Sequence, residues 1–277
     1  MTTATVHSLT CYPVKGCAGV PLDGVAVGAT GLAHDRTFMV VDAADGSFRS
    51  QRALPRMAVV HADVTDDGKH LALSAPGAGE LTLEVAYEGP PREVVLFDRP
   101  LGPAVDQGEE AARWFSQALG APSRLVRVRP GFDRDGWGEH PGKVNFADAH
   151  ALSVASLASL DDLNRRITER GGTPVPMDRF RPNIVVAGWS EPHTEDRVRL
   201  VDVGTARLGY SVRAMRCSVP LVDQATGRTA GPEPVRTLAG YRREPEYGNK
   251  VSFAMKAAVL RPGTIAVGDP VEVRAWA

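Results

Sequence analysis

Short apolar runs alternating with polar residues dominate the first hundred positions. Thr5 to Val14 reads as a strand that ends at a proline, and Arg36 to Asp42 as a strand running into the turn signal Asp45-Gly46. Met57 to Val64, Leu71 to Ser74, Leu81 to Ala86 and Val94 to Leu96 follow, separated by turns containing Gly, Pro or Asp. Closely spaced short strands of this kind predict a barrel or sandwich. Helical periodicity first emerges at Glu109 to Leu119, where Ala112, Trp114, Phe115, Ala118 and Leu119 form one apolar stripe and Gly120 supplies a C-cap. Val126 to Lys143, rich in Arg, Gly, Asp and Pro, predicts an exposed loop. A second helix is expected from Ser156 or Ser159 to about Ile167, with Ser159 and Asp162 spaced as a capping box. Strands return at Ile184 to Ala187, Val198 to Val203, Leu208 to Val212, Val251 to Ala257 and Val271 to Arg274, and Pro234 to Leu238 predicts a short helix with proline in its first turn. The fold class is therefore mainly β with a few helices (α+β). It divides into two parts between residues 95 and 120, and we set the parts at 1–105 and 106–277, linked by the helix near 109–119.

Length and charge narrow the function. The 277 residues can bury one large core or two modest ones, and the net charge of −1 argues against a protein held on nucleic acid or on an anionic membrane. No stretch reaches the roughly 20 apolar residues of a membrane span, and Met1 to Lys15 lacks a cationic start followed by an apolar core. A cytoplasmic protein is expected. The three cysteines, Cys11, Cys17 and Cys217, cannot fill a four-cysteine zinc or iron–sulfur site. Arginines outnumber lysines 27 to 5, a bias that a GC-rich genome explains for most of them.

Candidate chemistry is sparse when each motif is taken alone. Cys217 closes a strand-like run and precedes an Asp-x-x-Thr-Gly turn, with Arg216 beside it and Arg213 four residues back. A cysteine so placed is either a small buried hydrophobe or a thiolate favoured by nearby cations, and the segment alone decides neither. Arg181, held before Pro182 at the mouth of a strand, can fork onto a phosphate or brace a loop. Lys15 begins a glycine bend and Arg36 opens a strand. The seven histidines are scattered, and no nucleophile elbow, Walker loop or dinucleotide fingerprint is present.

Taken in order, these segments are similar to a known family. Tyr12-Pro-Val-Lys-Gly-Cys-Ala-Gly19, Asp35 to Asp42 and Ser50-Gln-Arg52 resemble the N-terminal β-barrel domain that accompanies MOSC domains. Asn145 to Asp148, Ser159 to Asn164, Phe180 to Val185, Arg216-Cys217, Val222-Asp223, Thr226-Gly227 and Val267 to Val271 resemble the MOSC β-barrel domain itself. Within that family, the segments resemble those of the mitochondrial amidoxime-reducing components and their bacterial counterparts.

The resemblance implies a molybdenum cofactor, Mo-molybdopterin, and an oxidoreductase that reduces N-hydroxylated small molecules. Cys217 aligns with the cysteine that supplies a sulfur ligand to the metal, a soft donor suited to a sulfur-rich site. Lys15, Gly16, Arg36, Asp148, Ala149, His150, Arg181, Met215, Arg216 and Lys256 align with cofactor-contacting positions. The pyranopterin phosphate accounts for Lys15, Arg36 and Arg181. The resemblance also implies an external electron-transfer protein, whether ferredoxin, flavodoxin-type reductase or cytochrome b5-like, while the charge balance leaves neither nucleic acid nor membrane as an expected partner. Departures surround the expected metal: Gly16 stands where relatives often have Ser, His150 replaces a small hydroxyl residue, Met215 a small residue or Pro, and Lys256 an aromatic. Pro220-Leu221 replace two threonines and Gln224 a proline. The alternatives are a sulfur carrier or cofactor-handling protein that uses Cys217, as in molybdenum-cofactor sulfurases, and a non-catalytic binding barrel.

Overall fold

A computed structural model describes residues 4–277. Its framework is a nine-stranded sheet in which Val271–Trp276, Val198–Val203, Ala206–Arg216, Lys250–Arg261, Leu152–Ser156, Ile184–Ala187, Thr5–Cys11 and Val20–Leu22 lie side by side, with Arg243–Glu244 paired onto Lys250–Arg261. The N-terminal strand is thus part of a sheet built mainly from the second half of the chain. It runs antiparallel to Ile184–Ala187, with Leu9 opposite Ile184 and Val6 opposite Val186. Leu9 and Cys11 are buried in period-two alternation, and a register shift between Val6 and Ser8 buries Val6 as well. A five-stranded sheet orders Pro91–Leu96, Arg99–Asp106, Ser123–Arg127, Phe38–Asp42 and Val14–Lys15, and two three-stranded sheets flank the pair.

Three helices cover these sheets. Helix α1, Gly108–Leu119, buries Ala111, Ala112, Trp114, Phe115, Ala118 and Leu119, and Gly120 ends it in the left-handed region at φ 67°. Its apolar face meets Phe38, Met57 and Leu125 in the core of the first half. Helix α2, Leu157–Glu169, connects Leu152–Ser156 to Ile184–Ala187, a pair that runs parallel and therefore needs a crossover. Leu163 and Ile167 pack with Phe180, Phe253 and Leu238 of α3, Val235–Leu238. Phe180 and Phe253 stack with ring centroids 3.8 Å apart. The central core of the large sheet joins Leu9, Leu152, Ile184, Leu208 and Met255.

Four expectations change on inspection. Thr5 to Val14 is not one strand: Thr5–Cys11 joins the large sheet, and Val14–Lys15, beyond Pro13, pairs with Phe38–Asp42 in the other. Met57 to Val64 is not one strand: Pro55 starts a 3₁₀ turn over Pro55–Val59, and only His61–Val64 is extended. Ser123–Arg127 is a strand, so the irregular segment begins after it. The N-cap of α2 is Ser156, whose hydroxyl accepts the Ser159 N–H at 3.2 Å, and the Ser159–Asp162 capping box does not form. The Ser159 hydroxyl instead donates to the fully buried Glu195 carboxylate at 2.7 Å. Asp162 pairs forward with Arg165 and Arg166 on the helix surface.

Removing the cap tests this assignment. Ser156→Ala should destabilise the protein by about 1–2 kcal/mol in urea unfolding, because an orphan helix N–H and one Glu195 hydrogen bond both lose their partner. A change near zero would move the helix start elsewhere.

Candidate functional site

One cavity collects residues from both halves of the chain. All eleven expected site residues line it: Lys15, Gly16, Arg36, Asp148, Ala149, His150, Arg181, Met215, Arg216, Cys217 and Lys256. Phe48, Gln51, Arg52, Phe97 and Asn183 complete much of the wall. Six cations therefore face a lining whose one carboxylate is Asp148, inside a protein of net charge −1. Such a focus of positive charge suits an anionic ligand.

The cations from the first half are anchored by the turns that present them. Lys15 leaves the short strand Val14–Lys15 just before Gly16, whose φ of 83° carries the bend and whose added Cβ would meet the Met57 side chain at 3.0 Å. Its ammonium pairs with Asp148 and lies 4.9 Å from the Phe48 ring. Burial lowers the Lys15 pKa, partly countered by Asp148. In return, desolvation where the cavity wall crowds the otherwise exposed Asp148 carboxyl works against its ionisation, and the Lys15 ammonium more than offsets this and holds it well below the usual range. Arg36 occupies the left-handed region at φ 49°, with its N–H on the Tyr12 carbonyl at 2.8 Å. Its guanidinium pairs with Asp35 and donates to Asn183 Oδ1 at 3.0 Å.

Arg181 mirrors Arg36 from the second half. It too is left-handed, at φ 52°, and donates to the Cys17 carbonyl at 2.6 Å and to Gln224 Oε1 at 3.0 Å. Non-glycine residues in this region carry strain that surrounding structure must hold in place. Both guanidinium groups lie against the Tyr12 ring, Arg36 at 4.8 Å and Arg181 at 4.2 Å from its centre. Burial raises the Tyr12 hydroxyl pKa to about 12, so it stays a neutral phenol and donates to the Pro182 carbonyl at 3.2 Å.

The sulfur sits where the long strand Ala206–Arg216 ends. Register shifts around Arg213 and Met215 break strict alternation there. Arg213 turns away to Glu244 at 2.7 Å and does not serve the sulfur. Arg216 turns to the cavity, donating to the Phe180 carbonyl at 2.8 Å while its buried Nε lacks a partner. Cys217 is exposed and unpaired, and the Val219 N–H is directed at its Sγ at 3.5 Å. Cys11 and Cys17 are buried, and burial raises both thiols, Cys17 to about 12. Among the three cysteines, only Cys217 opens to the cavity.

Lys256 and His150 face the same space. Lys256 lies on Lys250–Arg261 opposite Ser153 and has no hydrogen bond or ion pair among the described residues. Burial, with Arg216 and Arg36 nearby, lowers it to about 7. His150 Nε2 lies 2.9 Å from the Trp137 carbonyl, which can only accept, so the ring proton sits on Nε2 and Nδ1 is left as an acceptor. Burial and Lys256 lower His150 to about 4 and keep it neutral.

Sequence patterns alone did not single out three positioning residues. Asn183, 1% exposed, donates to Asp35 and the Thr10 carbonyl while accepting from Arg36 and the Ser153 N–H. Gln51 donates to the Gly16 carbonyl at 2.7 Å and to Gln224 at 3.2 Å, and Gln224 reaches Arg181. Arg134 laces the loop bearing Asp148 through the Asn145 and Ala147 carbonyls. The polar runs Phe180-Arg-Pro-Asn183 and Ser50-Gln-Arg52 mark two of the three, whereas Arg134 sits in a loop with no distinguishing pattern.

Native protein should react with about one equivalent of a thiol reagent, at Cys217, and with three after unfolding; two fast thiols in the native state would contradict the placement of Cys11 or Cys17. The cavity gains a positive charge as pH falls through about 7, where Lys256 protonates. Sulfate, a dianion throughout, should therefore bind more tightly at pH 6 than at pH 8.5 by calorimetry. Lys256→Gln should flatten that dependence, since His150 titrates well below the range.

Two family models match the chain. Residues 3–122 match the family model described as MOSC N-terminal beta barrel domain, and residues 141–272 match MOSC domain. The chain is 34% identical over 286 residues to mitochondrial amidoxime-reducing component 1 of Mus musculus, covering 96% of this chain and 81% of that protein. Against the Homo sapiens protein of the same name the identity is 32%, over 96% and 82%. Molybdenum cofactor sulfurase of Arabidopsis thaliana is 28% identical over 86% of this chain, which spans 31% of that longer protein.

Proposed function

The chain belongs to the family that joins a MOSC N-terminal β-barrel domain to a MOSC domain, and on that premise we propose that it is a molybdenum-cofactor-dependent oxidoreductase acting on N-hydroxylated small molecules. The observation that carries this reading is the cavity itself: one exposed thiol among cations, with all eleven expected cofactor positions on its wall. The names of the amidoxime-reducing relatives, which share about a third of their residues over nearly the whole chain, support it further.

The residues present fit the group. A phosphorylated pterin needs fixed cations, and Lys15, Arg36 and Arg181 are each tied to a partner that sets their geometry. Arg216 keeps a buried Nε–H unspent, a donor left for something the protein alone does not supply. Cys217 offers the soft sulfur. When bound, the molybdenum centre supplies the two-electron chemistry that removes oxygen from nitrogen.

The chain's own part is binding, orientation and protons. Reduction of an N-hydroxyl group takes two electrons and two protons and releases water. Electrons come from a separate ferredoxin-, flavodoxin- or cytochrome b5-like donor. Lys256 Nζ, exchanging its proton near neutrality, is the group in this cavity able to replenish a proton during turnover, while His150 holds Nδ1 ready to accept a hydrogen bond. Phe48 and Phe180 supply apolar wall beside these groups.

Protein produced in a molybdenum-replete host should carry stoichiometric molybdenum and reduce an aryl amidoxime with an artificial electron donor. Cys217→Ala should lower that turnover by at least a hundredfold, and Arg181→Ala should lower molybdenum content after gel filtration. Full activity in Cys217→Ala would refute the ligand role. A persulfide mass increment on Cys217 without molybdenum-dependent turnover would assign the chain to sulfur transfer instead.

A further inference from the structure

The cavity has a mouth whose chemistry differs from its interior. The tip of the hairpin formed by Pro91–Leu96 and Arg99–Asp106 is Phe97-Asp98, both left-handed at φ 51° and 62°. A bulky residue rarely accepts that conformation, and here it sets an aromatic ring on the cavity wall with 43% of its surface open. Phe48 meets the Phe97 ring edge-on at 5.9 Å. Across from the tip, Arg52 is exposed and holds its guanidinium 4.9 Å from the centre of the Phe97 ring.

Arg52 also differs from the other arginines of the cavity. Arg36, Arg181 and Arg216 each donate to a carboxylate, carbonyl or amide, whereas Arg52 makes no hydrogen bond or ion pair among the described residues. A guanidinium held against a ring face keeps its in-plane N–H fork free, and that fork matches the two oxygens of an oxyanion. The nearest lining carboxylate, Asp148, is already taken by Lys15. The mouth thus pairs an open aromatic surface with an unspent planar cation, while the other arginines of the cavity have partners.

We propose that Arg52 and Phe97 form a substrate-recognition clamp that selects N-hydroxylated compounds combining a flat apolar body with an anionic tail, a carboxylate or phosphate. The ring body lies against Phe97 and Phe48, the oxyanion takes the Arg52 fork, and the N-hydroxyl end points inward toward Cys217. This inference rests on the function proposed above for the reaction, but the recognition step is separable from turnover.

The test uses a series of para-substituted phenyl amidoximes bearing a carboxylate, a phosphate, hydrogen or a trimethylammonium group. With loaded enzyme, kcat/KM should be about tenfold higher for the anionic members than for the neutral one, through KM, and lowest for the cation. Arg52→Gln should erase that ranking, and Phe97→Ala should raise KM across the series. Calorimetry of the carboxylate member with Arg52 intact and with Arg52→Gln gives a readout without turnover, and a tenfold loss of affinity is expected. Arg52 is exposed, so the substitution leaves the core untouched. Equal kcat/KM across the series, or a ranking that survives Arg52→Gln, would overturn the clamp. Arg52-dependent binding with no reduction of any member would uphold the clamp and remove the proposed reaction. A preference for carboxylate over phosphate, or the reverse, identifies the tail.

Discussion

One aromatic ring gathers two like charges in this protein: the guanidinium groups of Arg36 and Arg181 each lie within 5 Å of the Tyr12 ring. Asp35 and Asn183 each engage the Arg36 guanidinium, and Asn183 donates to Asp35 in turn. The Tyr12 N–H donates to Asp35 at 2.8 Å, so backbone, ring and carboxylate form one unit. Without that unit the cavity would contain mutually repelling side chains free to swing into solvent. With it, the charges are fixed in advance of any ligand, which reduces what binding must spend on ordering them.

The same unit couples the halves of the chain. Asp35 and Arg36 come from the first half, Asn183 and Arg181 from the second, and Gln51 repeats the coupling through Gln224. The strand Thr5–Cys11 enters the large sheet beside Ile184–Ala187, and this pairing places Tyr12 against Pro182. Two compositionally similar β regions become one site because their hydrogen bonds interlock at that seam.

Much of this was legible in the residue pattern. The apolar stripe and terminal glycine of α1 were plain, since both depend on local periodicity and on one φ angle. The mainly β class followed from turn spacing. The start of α2 was not readable as a capping box, because Ser159 satisfies a buried carboxylate 36 residues away, and long-range partners outcompete local ones without leaving a local mark. Pro55 forced a 3₁₀ turn into a run that alternation alone made a strand. At the site, Cys217 and the cations lie in motifs of recognisable order. Arg134 and Asn183 act through backbone carbonyls and shared carboxylates, and such roles depend on what the fold brings near, not on neighbours in sequence.

Placing the first strand beside one that is almost two hundred residues downstream also sets a schedule. During synthesis, Thr5–Cys11 has no sheet to join until Ile184–Ala187 has left the ribosome, and Thr5 then bridges to Pro270 near the opposite terminus. Pairings so distant form late and expose unsatisfied strand edges while they wait. A nascent chain therefore has no finished pocket to fill, and ligand capture becomes a post-translational event reserved for completed molecules.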